Sequence, residues 1–129
     1  MGVKRVLVVE RDTLLRALIG EWLAAGGMQA VYPDAQGLAV LPPDIDAVVI
    51  DVASPRQAHS VLECWRRAYP KAAIIAVSGR FSAAETASAA MACRLGVTKV
   101  LAKPFRCSEL WAALSHPGDR PSNPFPRPN

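Results

Sequence analysis

Four polar side chains that can take part in phosphoryl transfer each follow a short apolar run in this 129-residue chain. A carboxylate can act as a nucleophile and become an acyl phosphate. A nearby hydroxyl and ammonium group can then hold the phosphoryl oxygens. If the fold brings such groups together, the sequence predicts chemistry on a phosphoryl group. The four residues are Glu10 after RVLVV, Asp51 after AVVI, Ser78 after AAIIAV and Lys103 after KVLA.

The apolar runs that precede these residues predict β-strands, because they are short and rich in β-branched side chains. The runs at 47–50 and 72–77 contain no polar residue, which is typical of strands covered on both faces of a sheet. A weaker run lies between the first two of these polar residues. The predicted strands cover residues 4–9, 29–32, 47–50, 72–77 and 99–102.

Between the runs, apolar residues recur at helical spacing, with start and stop signals at the ends. In the segment after Pro55, for example, Val61, Leu62 and Trp65 are expected to share one buried face. The predicted helices run from Asp12-Thr13 to Gly26, over the short segment 36–41, from Pro55 to just before Pro70, from the capping box of Ser82 and Glu85 to Gly96, and over 108–114.

Strands that alternate with helices imply a parallel sheet with helices on both faces. In an open sheet of this kind, ligands bind outside the carboxyl ends of the strands. Because Glu10, Asp51, Ser78 and Lys103 all lie at such ends, we expect them to converge on one crevice.

Four blocks of the sequence, VLVVERDTLLR, AVVIDVASP, IIAVSGR and VLAKPF, resemble the motifs of response-regulator receiver domains in order and spacing. The resemblance covers about residues 4–116. It implies an α/β, flavodoxin-like (βα)5 fold, with a five-stranded parallel sheet of order 2-1-3-4-5 and helices on both faces.

The resemblance also implies a role for each site residue. Asp51 takes the position of the phosphate acceptor, and Ser78 and Lys103 take those of the switch hydroxyl and the phosphoryl-contacting lysine. A Mg²⁺ ion would be held by Glu10, Asp51 and the backbone carbonyl of Ala53. The bond before Pro104 would be cis.

Arg11 departs from this pattern, since the family has a second acidic residue at that position. Glu10 and Asp51 contribute −2 and Arg11 contributes +1, which leaves −1 where three carboxylates would give −3. Mg²⁺ loses a ligand and gains a repelling neighbour, so its binding is expected to be weak or absent. Arg11 either pairs with Asp51 or turns outward to solvent. Val100 is a second departure, because the family usually has an aromatic residue there.

Two functions follow from the resemblance. The first is a receiver that accepts phosphate on Asp51 from a histidine kinase or phosphotransfer protein and signals to a further protein through its surface. The second is a pseudo-receiver that binds proteins without phosphorylation, which Arg11 and Val100 favour. Either module could form a homodimer through its last two helices and fifth strand. A nucleotide- or flavin-binding enzyme is disfavoured, because no glycine-rich phosphate-binding motif follows the first strand.

Charge and composition exclude some classes of partner. The net charge is +4, but the basic residues are dispersed without interleaved aromatic residues, so nucleic acid is not expected as a partner. The chain has no apolar run long enough to cross a membrane and no signal-peptide pattern, and a cytoplasmic protein is expected. The three scattered cysteines favour neither a disulfide framework nor a zinc site.

The last residues differ in composition from the rest of the chain. We expect a receiver domain over 1–116 and a Pro-rich, disordered tail over 117–129, which holds five prolines and a single large apolar residue, Phe125. Such a segment cannot form a core, and it is expected to add nothing to the fold unless it docks through Phe125.

Overall fold

A computed structural model describes residues 4–33, 43–53, 55–82 and 89–115 of the chain. Within them, strands and helices alternate as the sequence predicts. In chain order the elements are β1 (Arg5–Val9), α1 (Thr13–Ala25), β2 (Gln29–Val31), β3 (Ala47–Asp51), α2 (Pro55–Ala68), β4 (Ala73–Ser78), α3 (Ala89–Leu95), β5 (Lys99–Ala102) and α4 (Cys107–Ser115).

The five strands form one parallel sheet in the order β2-β1-β3-β4-β5. The predicted flavodoxin-like topology is therefore confirmed. The register pairs Val9 with Ile50, Asp51 with Val77, and Ser78 with Ala102. The carboxyl ends of β1, β3, β4 and β5 thus lie side by side at one edge of the sheet.

Successive side chains of a strand point to opposite faces of the sheet, and helices bury both faces. In β1, Val6 and Val8 join one apolar cluster, whereas Leu7 joins the other. The first cluster is covered by α1 and α4, through Ile19, Leu23, Leu110 and Leu114. The second is covered by α2 and α3, through Leu62, Ala92 and Leu95.

Helix α1 begins where the sequence places its N-cap. The Asp12 carboxylate accepts hydrogen bonds from the backbone N–H groups of Leu14 and Leu15, at 2.9 and 3.1 Å. The helix ends before Gly26, and Gly27 follows at a φ of 78°, a conformation that favours glycine. This cap fixes the start of α1 directly beside the edge of the sheet that carries the polar residues.

The prediction that Val61 shares the buried face of α2 with Leu62 and Trp65 is wrong for Val61. Leu62 is fully buried and Trp65 packs against the core, but Val61 is 39% exposed. Neighbouring residues of a helix differ by about 100° in direction, so with Leu62 pointing at the sheet, Val61 lies at the rim of the buried face. The helix predicted at 36–41, the first turn of the helix after Ser82 and the tail at 117–129 lie outside the described residues.

Among the described residues, no helix is both long enough and apolar enough to span a membrane.

The contrast between Leu62 and Val61 gives a test of the packing. Leu62→Ala should lower the free energy of unfolding by about 2–5 kcal/mol, because it removes a fully buried side chain. Val61→Ala should change it by less than about 1 kcal/mol, because the side chain already contacts water. Urea denaturation of both variants measures the difference, and equal losses would contradict the described orientation of α2.

Candidate functional site

The candidate site lies at the carboxyl edge of the sheet, where four separate segments end. Asp51 and Ser78 are the last residues of β3 and β4, and Glu10 and Lys103 directly follow β1 and β5. The parallel pairing of these strands places all four residues at one edge. Topology alone therefore accounts for the convergence that the sequence predicts.

Lys103 joins the two carboxylates of the site. Its ammonium nitrogen Nζ lies 2.8 Å from Oδ1 of Asp51. It also lies 3.1 and 3.2 Å from the two carboxylate oxygens of Glu10. The side chains are largely withdrawn from water, with exposures of 22% for Lys103, 11% for Asp51 and 3% for Glu10. One ammonium group thus balances two carboxylates that would otherwise repel each other.

The pKa of Lys103 is raised above its ordinary value by these contacts. Burial by itself would lower the pKa, because it disfavours the charged form. The hydrogen bonds to Asp51 and Glu10, together with the negative charge of both carboxylates, outweigh burial. Lys103 is therefore a permanent cation at neutral pH and can neutralise a phosphoryl oxygen.

Arg11 points toward the site, which is one of the two orientations that the sequence left open. Its Nη2 nitrogen lies 3.4 Å from Oδ2 of Asp51, and its side chain is 76% exposed. A long, exposed ion pair of this kind contributes no more than about 1 kcal/mol. Each oxygen of Asp51 nevertheless faces a cation, and the four charges of Glu10, Arg11, Asp51 and Lys103 sum to zero.

The main chain of Asp12 connects the site to α1. Its N–H group donates a hydrogen bond of 3.1 Å to Oε2 of Glu10, while its side chain caps the helix. The Glu10 carboxylate is therefore oriented from two directions, by Lys103 and by the start of α1. Sequence reasoning identified the cap but missed this contact, for which the spacing of two residues between Glu10 and Asp12 is the available signal.

Ser78 is 1% exposed and lies between the ends of β3 and β5. Its hydroxyl oxygen accepts a hydrogen bond of 3.0 Å from the backbone N–H of Arg80. Its carbonyl oxygen accepts one of 3.0 Å from the N–H of Lys103. The hydroxyl is thus held within its own loop, while the main chain of Ser78 positions Lys103.

The residues present are a poor fit for Mg²⁺. The ion needs about six oxygen ligands in near-octahedral geometry, but both site carboxylates already contact the ammonium of Lys103, and the guanidinium of Arg11 lies beside Asp51. Within the described ranges, no group of three or more His, Cys, Asp or Glu side chains could hold a metal ion. Ala53 is exposed two residues beyond Asp51, and its carbonyl remains a predicted ligand.

Val100 is a buried residue of β5. The side chain is 5% exposed and belongs to the apolar cluster beneath α2 and α3. A valine in this position has a single side-chain torsion and no polar group. It can therefore contribute packing at β5, but no hydrogen bond that would report on the state of Asp51.

The segment after Lys103 leads from the site to α1. The Lys103–Pro104 bond is cis, the isomer that the resemblance implies. Phe105 is 8% exposed and meets Trp22 edge to face, with ring centres 6.0 Å apart. Beside these rings lies an open groove of about 520 Å³ that the sequence did not predict. It is lined by Asp12, Leu14, Leu15, Leu18, Trp22, Lys103, Pro104 and Phe105.

Comparison with solved structures identifies the fold. A response regulator receiver domain protein (CheY-like) from Methanospirillum hungatei is 20% identical, with a TM-score of 0.68, over 92% of this chain and 98% of that one. A response regulator from Thermotoga maritima is 17% identical, with a TM-score of 0.73, over 90% and 98%. A sensor protein from Polaromonas is 27% identical, with a TM-score of 0.66, over 90% and 96%. The fold is that of receiver domains.

No protein-family model and no curated protein matches the sequence.

The raised pKa of Lys103 predicts a pH dependence of stability. Lys103→Met should lower the free energy of unfolding at pH 7 by about 1–3 kcal/mol, because Glu10 loses a charged partner. A raised folded-state pKa means that the contribution is complete below the unfolded-state pKa of about 10.4 and is lost as pH rises through the folded-state pKa. The difference between parent and variant should therefore be constant from neutral pH to about pH 9 and narrow above about pH 10.5.

Denaturant unfolding at a series of pH values measures this difference. Lys99→Met is the matched control, because Lys99 is exposed at the start of β5, four residues before Lys103, and the substitution removes the same charge. A difference for Lys103→Met that stays constant throughout the alkaline range would contradict the described ion pairs.

Proposed function

We propose that this chain is a signalling module of the response-regulator receiver type, which accepts a phosphoryl group on Asp51. The observation that carries the proposal is the 2.8 Å contact between the Asp51 carboxylate and the Lys103 ammonium at the carboxyl edge of a receiver-type sheet. The donor would be a histidine kinase or a phosphotransfer protein. The output would pass to a further protein through surface contacts.

In the proposed reaction, a carboxylate oxygen of Asp51 attacks the phosphorus of the donor. The bond from phosphorus to the donor atom breaks, and an acyl phosphate forms on Asp51. Oδ2 is the better placed nucleophile, because Oδ1 is held by Lys103 whereas Oδ2 faces only the exposed Arg11 at 3.4 Å. Lys103 and Arg11 then neutralise charge on the phosphoryl oxygens, and rotation of the Ser78 hydroxyl away from Arg80 would add a hydrogen bond.

Arg11 reduces the amount of positive charge that a metal ion would have to supply beside Asp51. Mg²⁺ on Glu10, Asp51 and the Ala53 carbonyl would bind weakly, because the guanidinium of Arg11 lies beside Asp51 and repels it. The guanidinium supplies part of the positive charge that a divalent ion would otherwise provide. We therefore propose an acceptor site with a low dependence on Mg²⁺.

The remaining features of the proposal concern the module as a whole. Residues 1–116 would form the receiver unit and 117–129 a tail outside its core. The protein would act by binding and phosphate acceptance in the cytoplasm, not by enzymatic turnover, and would contact neither nucleic acid nor membrane. A homodimer would use the face of α3, β5 and α4.

Incubation with acetyl phosphate tests whether Asp51 accepts phosphate. The parent protein should gain one phosphoryl group, which mass spectrometry of a peptide containing Asp51 would locate. Asp51→Asn should gain none under the same conditions, because the amide is not a nucleophile for this reaction. If the parent is not modified with or without Mg²⁺, the chain is not a phosphate acceptor for small donors.

A pseudo-receiver is the second candidate, and the contact between Arg11 and Asp51 favours it. With two carboxylates and two cations, the site is charge-balanced without a metal ion. Such a site can stay in one state and serve only to hold the ends of the strands. The module would then bind its partners constitutively, without phosphorylation.

Exchange of Arg11 separates the two candidates. Arg11→Asp changes the local charge by two units and should tighten Mg²⁺ binding at least about tenfold, equivalent to about 1.4 kcal/mol, because it adds a ligand and removes a like charge. It should also speed phosphorylation by acetyl phosphate in the presence of Mg²⁺. Calorimetry and the mass-spectrometric rate measure both effects.

Arg16→Asp is the matched control, because it makes the same charge change on an exposed residue of α1. It should leave both measurements nearly unchanged. Equal Mg²⁺ affinity of the parent and Arg11→Asp would show that Arg11 does not limit the metal site. Faster phosphorylation of Arg11→Asp than of an inert parent would favour the pseudo-receiver.

A further inference from the structure

The groove beside the site is an apolar surface for which neither phosphorylation nor the fold provides a use. Leu14 is 81% exposed and Leu18 is 40% exposed, one helical turn apart on α1. Six of the eight residues that line the groove are apolar, and its volume is about 520 Å³. Contiguous apolar side chains that are exposed in this way are typical of binding grooves and interaction surfaces.

We propose that this groove binds a segment of the same chain, Pro124–Pro126, with Phe125 as the side chain that enters it. The inference does not depend on phosphorylation of Asp51. The segment lies in the sequence beyond the described residues, with Phe125 ten positions after the end of α4. The argument rests on the chemistry of groove and segment and on the length of chain between them.

The chemistry of the two surfaces matches. Segments with closely spaced prolines favour the extended polyproline helix, and such helices bind in grooves lined by aromatic side chains. The groove offers the edge-to-face pair of Trp22 and Phe105 with Pro104 beside it. Phe125 is the only large apolar residue in the sequence from 116 to 129, so it is the one side chain there that can fill an apolar groove.

The connecting chain is long enough. Helix α4 ends at Ser115, close to the start of β1, where the ammonium of Lys4 donates a 2.7 Å hydrogen bond to the carbonyl of Leu114. Phe105 lies just before the other end of α4, and nine helical residues span about 13 Å. The ten residues from 116 to 125 span about 31 Å as a polyproline helix. The segment can therefore turn back along α4 and α1 and reach the groove.

Occupation of the groove would bring the segment next to the acceptor site, because Asp12 and Lys103 also line it. A partner that approaches Asp51 over α1 would have to displace the segment first. For an intramolecular contact the effective concentration is on the order of 1 mM, so a free segment with a Kd of about 1 mM would already occupy half of the grooves. A weak contact is therefore sufficient for this competition.

Nuclear magnetic resonance spectra of the full chain and of a variant that ends at His116 test the proposal. The amide signals of Leu14 and Phe105 and the indole signal of Trp22 should shift when the tail is removed. Phe125→Ala should produce the same shifts. Ser122→Ala, a substitution in the same tail that removes no apolar surface, should leave these signals in place.

Addition of a synthetic peptide of residues 116–129 to the shortened chain should restore the signals of the full chain. Leu14→Glu should weaken peptide binding at least about tenfold, because it places a charge in the groove; the substitution should leave the fold intact, since Leu14 is 81% exposed. Val61→Glu, on an exposed residue of α2, should leave peptide binding unchanged.

Two results would overturn the proposal. One is that the spectra of the full and shortened chains coincide except next to the truncation. The other is that the shifts in the full chain weaken on dilution, which would show that the segment binds a second copy of the protein instead of its own groove.

Discussion

The contact of one ammonium group with two carboxylates is the interaction on which the polar edge of this protein depends. Lys103 lies within 3.2 Å of oxygens from both Glu10 and Asp51, and all three side chains are mostly withdrawn from water. Without a cation between them, two carboxylates in such a place would repel each other. Because β4 lies between β3 and β5, the lysine has to reach past the end of β4, where residue 78 is a small serine.

The second cation of the site, Arg11, is held less tightly against Asp51 than the first, Lys103. Lys103 is 22% exposed and makes short contacts, whereas Arg11 is 76% exposed and stands 3.4 Å from its partner. Water and salt screen an exposed pair far more than a buried one. Lys103 therefore fixes the position of the Asp51 carboxylate, while Arg11 can leave Asp51 at little cost. The charges of the site are therefore balanced, while one of its two cations remains free to move.

The site is also tied to the α1 face of the sheet more closely than to its other face. The N–H of Asp12 orients Glu10, and the segment after Lys103 carries Phe105 to its contact with Trp22. On the other face, the second residue of β5 is the buried Val100. A change at Asp51 therefore has polar and aromatic neighbours toward α1, but only aliphatic packing at Val100.

The sequence by itself determined the order of strands and helices, and the resemblance of its four motif blocks added the strand order 2-1-3-4-5. Both succeed because burial on two faces requires continuous apolar strands, and because each polar residue of the site directly follows such a strand. Strand ends were predicted within one residue. Helical periodicity was less informative at Val61, since apolar character alone does not tell which of two neighbouring residues lies at the centre of the buried face and which at its rim.

Only the tertiary structure decided the direction of Arg11, the sharing of Lys103 between two carboxylates and the groove along α1. Each of these depends on side-chain torsions or on contacts between segments up to 93 positions apart, and neither is encoded in the local pattern of apolar and polar residues. The types of residue at the site were thus readable from the sequence, whereas their charge balance in space was not.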